Sequence, residues 1–228
     1  MALARHGLAL AGKRLDPETL LRLEAELEGA LHLTFFLGEL MGRAQAGTAS
    51  PKQARLLRLL APVAKIFIAT QAAQVLSEAI DSFSDADRAR DAALAALLRD
   101  AGALRIREDA AGALPPDELR ALVDAGCMAV LRREAGFLLQ GVRAPELLRG
   151  SAVAEQGLEH AAAWLAKALP AGAAALEAGA PRFATTVGRA VELALLARHA
   201  QWSLDHGQDR RALAVARRFA ARGLQEKN

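Results

Sequence analysis

Two helix-start signals, each followed by some thirty residues of helical periodicity, restrict this chain more than any other feature of its sequence. The first is "LDPETLLRLEAELEGALHLTFFLGELMGRAQAG", with Asp16 at the N-cap and Pro17 at the first helical position. Proline fits there because its missing N–H has no partner in a first turn, and the aspartate can accept one of the other orphaned N–H groups. Leu20, Leu23, Leu27, Leu31, Thr34, Phe35 and Leu37 then recur at three- and four-residue spacing up to Gly47, which predicts one helix over 17–45. The second signal, Ser50 followed by Pro51, opens "SPKQARLLRLLAPVAKIFIATQAAQVLSEAIDSF". There Leu56, Leu60, Val63, Phe67, Val75, Ala79 and Phe83 line one side, which predicts a helix over 51–83 with a kink at Pro62. Two long helices joined by a short linker are half of an antiparallel bundle.

The remainder extends that pattern. "SDADRARDAALAALLRDAG" predicts a shorter helix capped by Ser84 or Asp85 and ending near Gly102. The alternating "ALRIRED" run that follows is expected to be strand-like or irregular, before the turn residues Gly112, Pro115 and Pro116. "PDELRALVDAGCMAVLRREAGFLLQG" is helical again, and the turn chemistry of "GVRAPELLRGSA" suggests a division into 1–142 and 143–228. Beyond it come "VAEQGLEHAAAWLAKALP", a piece interrupted by glycine and proline to about residue 181, "RFATTVGRAVELALLARHAQWSLDHG", and a basic helix over 209–224. With aromatic residues at 4% and no tyrosine, packing has to come from leucine, alanine and valine, which also favour helix. The expected class is therefore all-α.

Charge excludes little. A net +3 is only mildly basic, and the arginines of the last helix interleave with the apolar stripe Leu213, Val215, Ala216 and Phe219. That pattern is an amphipathic helix with a solvated basic face, not a nucleic-acid-binding one. The N-terminal run, broken by Arg5 and His6, is too short for a membrane span and weak as a signal peptide, so the cytoplasm is the default expectation. Cys127, the single cysteine, can form neither an intrachain disulfide nor a thiolate metal cage and is expected to be a small buried hydrophobe. No phosphate-binding glycine loop, dinucleotide fingerprint or HExxH motif is present. None of the five histidines has a glutamate three residues before it, which excludes the di-iron pattern of helical bundles. Glu28 and His32 share a helix face at i, i+4 and could share a hydrogen bond; further metal ligands are lacking in the sequence around them, so no metal site is expected.

One family resemblance runs through residues 51–122. The "APVAK" run, the following "QVLSEAI" and the closing Phe83 are similar to the long helix of the acyl-CoA dehydrogenase C-terminal domain. "LLRDA" at 97–101, "IREDA" at 106–110 and "DELRAL" at 117–122 match the order of elements that follows it there. "DPETLLRLEAELEGAL" also resembles the preceding segment of bacterial, alkylation-response-like members, and the C-terminal stretch resembles their extensions less specifically. The resemblance implies an antiparallel helical bundle with a C-terminal helical extension. It further implies FAD as cofactor, acyl-CoA as substrate and oxidation of its CH–CH bond, with Glu108 at the position of the catalytic base. Such a base needs a water-poor pocket that raises its pKa, and Arg107 and Asp109 beside Glu108 do not provide one. Where the family has a glycine-rich turn this chain has Ser84, Asp85, Asp87 and Arg88, and Ala110 replaces a threonine that contacts flavin phosphate. The expectation is an acyl-CoA dehydrogenase-like domain without the N-terminal and β domains, incomplete or inactive alone. It would work as a homo-oligomer or with a partner chain that supplies the missing domains. The alternative is a non-catalytic oligomerisation or interaction module built on that fold.

Overall fold

The computed structural model describes residues 2–12, 15–81, 84, 92–109, 125–207 and 210–225. Among these there are helices and connections and no strand. In chain order the helices are α1 (Ala2–Ala11), α2 (Pro17–Gln45), α3 (Pro51–Asp81), α4 (Ala92–Asp109), α5 (Ala125–Leu139), α6 (Pro145–Ala171), α7 (Ala173–Asp205) and α8 (Arg211–Gln225). The expected all-α bundle is what forms.

Both start signals act as the sequence implied. The Asp16 carboxylate accepts from Thr19 N–H at 3.0 Å. At the second, Ser50 Oγ accepts from Gln53 N–H at 3.3 Å while Ser50 N–H donates to Gln53 Oε1 at 2.9 Å. The two residues thus satisfy each other's orphaned donors, a capping box. Gly47 stops α2 at φ 67°, a left-handed conformation that costs glycine nothing. Pro62 lies inside α3, and the helix continues through it to Asp81. Phe83 lies outside the described residues.

Two expectations are corrected. The 102–105 run is helix, not strand, because α4 extends through it to Asp109. A two-residue alternation over so short a stretch is a weak signal, and Ala, Leu and Arg on both sides of Gly102 favour continuing the helix. The interrupted piece before residue 181 is equally regular: α6 ends at Ala171, and α7 runs from Ala173 through Gly179 and Pro181 to Asp205. Packing explains this. A side chain at Gly179 would meet the Trp164 ring at 2.1 Å, so the glycine is where α7 lies against an indole from α6. Only Gly172, at φ 93°, separates the two helices.

Helix α7 is the axis of the molecule. It packs on α2, α3, α5, α6 and α8, and its buried side includes Val187, Val191, Leu193 and Leu196. The main apolar core gathers around it and takes in Leu33, Leu60, Phe67, Leu131, Leu158 and Phe219 from the other helices. Gly188 admits the Phe67 ring, which would lie 2.2 Å from a side chain placed there. A second, smaller core joins α1, α4, the start of α2 and the end of α3 through Leu8, Leu23, Leu76 and Leu97. Within α3, Pro51–Ala79 is long and apolar enough to cross a membrane by length and composition alone. Most of its apolar surface is instead spent on the two cores.

Candidate functional site

A layer of polar side chains lies where the two cores meet. Leu23 belongs to the smaller core and Ala25 to the larger, with Glu26 next to them; on α3, Phe67 and Ala72 flank Gln71 in the same way. Gln71 Nε2 donates to Glu26 Oε2 at 2.9 Å and to Glu192 Oε2 at 3.0 Å. Arg189 closes on Glu26 with both terminal nitrogens, at 3.0 and 3.2 Å, and stacks its guanidinium 4.4 Å over the Phe219 ring. Gly29 makes room for this layer, since a side chain there would meet Glu192 Oε2 at 2.9 Å and Phe219 at 3.0 Å. Glu192 is fully buried, and burial pushes its carboxyl well above the usual range, reinforced by Glu26 and opposed by Gln71 and Arg189. Burial therefore favours its protonated form. Glu192 Oε1 and Gln71 Oε1 are buried without a hydrogen-bond partner. A protonated Glu192 would carry a hydrogen-bond donor into this acceptor-rich layer.

Arg189 also reaches a cleft of about 570 Å³ between α6, α7 and α8. Val153, Ala154, Ala190, Leu193 and Phe219 form its apolar wall; His160, Arg182 and Arg189 bring polar and positive groups. The hydroxyls of Thr185 and Thr186 also face it, but they donate to the Pro181 and Arg182 carbonyls and have only lone pairs left to offer. Every lining residue lies inside a helix, where its backbone N–H is already used. Only side chains can hold a ligand there. The arrangement fits an alkyl chain with an anionic group. It does not fit a dinucleotide, whose diphosphate is usually cradled by open backbone N–H groups.

A third cluster lies at the surface between α2 and α7. Ligand atoms of Glu28, His32 and His199 fall within 4.8 Å of one another. Glu28 does not pair with His32 as its spacing allowed; it accepts from Arg211 of α8 at 3.0 Å. The His32 and His199 rings face each other with centroids 4.8 Å apart. Burial and the neighbouring His199 push the His32 pKa down to about 4, so its imidazole is neutral near neutral pH. His199 stacks on Trp202, which stacks on His206.

Glu108 lies in the last turn of α4, and its side chain is outside the described residues. Asp85, Asp87, Arg88 and Ala110 are outside them as well, and Ser84 is exposed. Cys127 is buried in the main core. Reading the sequence missed the polar layer and the third member of the surface cluster. The polar layer had no signal, because Arg189 and Glu192 stand singly in an apolar run. The cluster had a faint one in the helical spacing of His199, Trp202 and His206.

The fold is that of an acyl-CoA dehydrogenase-like all-helical domain. Acyl-CoA dehydrogenase family member 11 of Caenorhabditis elegans is 36% identical over 106 residues, which are 46% of this chain and 17% of that protein. The crystal structure of C. elegans ACDH-11 in complex with C11-CoA superposes on 96% of this chain with a TM-score of 0.81 at 25% identity. The chain spans 40% of that structure. The apo form of Bd2924 shares the fold at a TM-score of 0.63 and 23% identity, over 86% of this chain and 39% of that one. No family model matches the chain.

Proposed function

We propose that this chain is the helical part of an acyl-CoA dehydrogenase-like flavoprotein, that it binds an acyl-CoA, and that oxidation of the CH–CH bond requires further domains. The observation that carries the reading is the fold: nearly the whole chain follows a structure determined with an acyl-CoA bound. The cleft supports it physically. Its apolar wall suits an alkyl chain, and Arg182 suits a phosphate of the CoA moiety. FAD, the cofactor the family resemblance implies, would accept the hydride. The cleft, lined by side chains without open backbone N–H groups, is assigned the acyl-CoA.

Two titrations of the purified chain test the assignment. Isothermal calorimetry with C11-CoA is expected to show saturable binding, weakened about tenfold or more by Arg182→Gln through loss of a charge-assisted contact. Gel filtration after incubation with FAD is expected to leave the protein colourless. No heat with C11-CoA would remove the acyl-CoA role, and stoichiometric retention of FAD would overturn the need for other domains.

A second reading, a non-catalytic interaction module, is favoured by one feature of α2. Leu31, Phe35 and Met41 are 45, 70 and 48% exposed, and Gly38 and Gly42 among them have open space where a side chain would be. An apolar face with glycine gaps suits close approach of another helix.

A further inference from the structure

We propose that Glu28, His32 and His199 form a site for a divalent transition metal of the zinc class, with its fourth position open to water. Three properties of the cluster carry this, the donor set first. Two imidazoles and one carboxylate with a vacant fourth position make up one of the standard zinc arrangements, and the nitrogen donors also suit the neighbouring late transition metals. Magnesium and calcium, which demand oxygen ligands, would not take it.

Geometry is the second part. Ligand atoms around a tetrahedral zinc stand about 3.3 Å apart, given bonds of about 2.0 Å. The three donors here lie within 4.8 Å of one another, so side-chain rotations of little more than an ångström would bring them onto one ion. Glu28 and His32 sit one turn apart on α2 and His199 faces them from α7, so the backbone positions are fixed by two helices that already pack together. All three residues are half-buried, open enough for an ion to enter.

Chemistry at the rim is the third. Arg211 donates to Glu28 Oε2, leaving the carboxylate its other oxygen for a metal. Hydrogen-bonded partners of this kind orient metal-binding carboxylates elsewhere. The inference is independent of the acyl-CoA assignment, since the cleft and this cluster share no residue.

Calorimetry with zinc ions on the metal-stripped, tag-free chain tests the site. One equivalent is expected to bind to the wild type and to His206→Gln. Affinity is expected to fall at least tenfold in His199→Gln and in Glu28→Gln, with helical circular dichroism unchanged. A wild type that binds no zinc, or ligand variants that bind as well as it does, would overturn the site.

A readout that keeps all three ligands covers the chance that those variants misfold. In Trp164→Phe the remaining indole, Trp202, stacks with its centroid 5.9 Å from that of His199. One equivalent of copper(II) is expected to quench its fluorescence, and excess chelator to restore it. Unquenched emission with copper(II) in stoichiometric excess would likewise overturn the site.

Discussion

Glu192 is a carboxylic acid placed where water cannot reach it, and its titration is the residue-scale consequence with the clearest sign. Its folded pKa is raised well above the ordinary value of 4.5, whereas in the unfolded chain it ionises near that value. Above pH 4.5 the unfolded state has therefore released a proton that the folded state keeps. Its contribution is fully present below that pH and is lost as pH rises toward the folded pKa. The slope is about 1.4 kcal/mol per pH unit for one proton. Glu192→Gln removes the titration and keeps an acceptor for Gln71. Urea unfolding at a series of pH values above 4.5 is expected to show the variant gaining on the wild type as pH rises, by at most about that slope. Parallel curves would mean that Glu192 is ionised in the fold. Nothing in "VGRAVELALLARHA" announced this residue, because a single charge in an apolar helical run reads as the edge of a solvated face. Asp16 and Ser50 were legible, since a cap acts within its own turn and its partners are three residues away.

At the scale of elements, the Glu26–Arg189 pair joins α2 to α7 at the level where one apolar core gives way to the other. The side chains are 3 and 14% exposed, so each charge depends on the other for the solvation it has lost. Breaking such a pair leaves one charge buried, which typically costs about 3–5 kcal/mol, whereas replacing both partners with apolar residues is often neutral or stabilising. Arg189→Ala is expected to lose stability in that range, while Glu26→Leu combined with Arg189→Met should recover most of it in chemical denaturation. A double variant as unstable as the single one would show that the pair holds α2 against α7 by more than mutual charge. The same scale explains what sequence periodicity resolved. The long helical runs of α2 and α3 were plain because apolar residues repeat over many turns, although Leu31 and Phe35 of the α2 run face outward. Helix α7 was broken too early in the reading, because Gly179 and Pro181 are local stop signals that packing against Trp164 overrides. The alternation after Gly102 misled for the same reason, with too few residues to outweigh the helix already under way.

Across the whole molecule, the main core leaves one long helix face uncovered. Helix α2 buries Leu33, Leu37 and Leu40 against its neighbours and turns Leu31, Phe35 and Met41 outward. Scattered exposed apolar residues are ordinary, but Leu31 and Phe35 stand one turn apart on the same side of α2, with Met41 further along the helix, a surface of the kind interfaces use. The family resemblance legible in α2 and α3 implies an oligomer, and we propose this face for its contact. A second copy of the chain presenting the same face would bring Phe35 toward the open positions at Gly38 and Gly42, an isologous contact in which each subunit supplies both ring and gap. Light scattering after size exclusion is expected to give a mass that rises with concentration for the wild type and stays at one chain for Phe35→Asp, which places a charge at the centre of the face. Because Phe35 is 70% exposed, the substitution should leave the melting temperature of dilute protein nearly unchanged. Equal masses for the two proteins at every concentration would assign this face to another partner, and the non-catalytic reading would then rest on finding it.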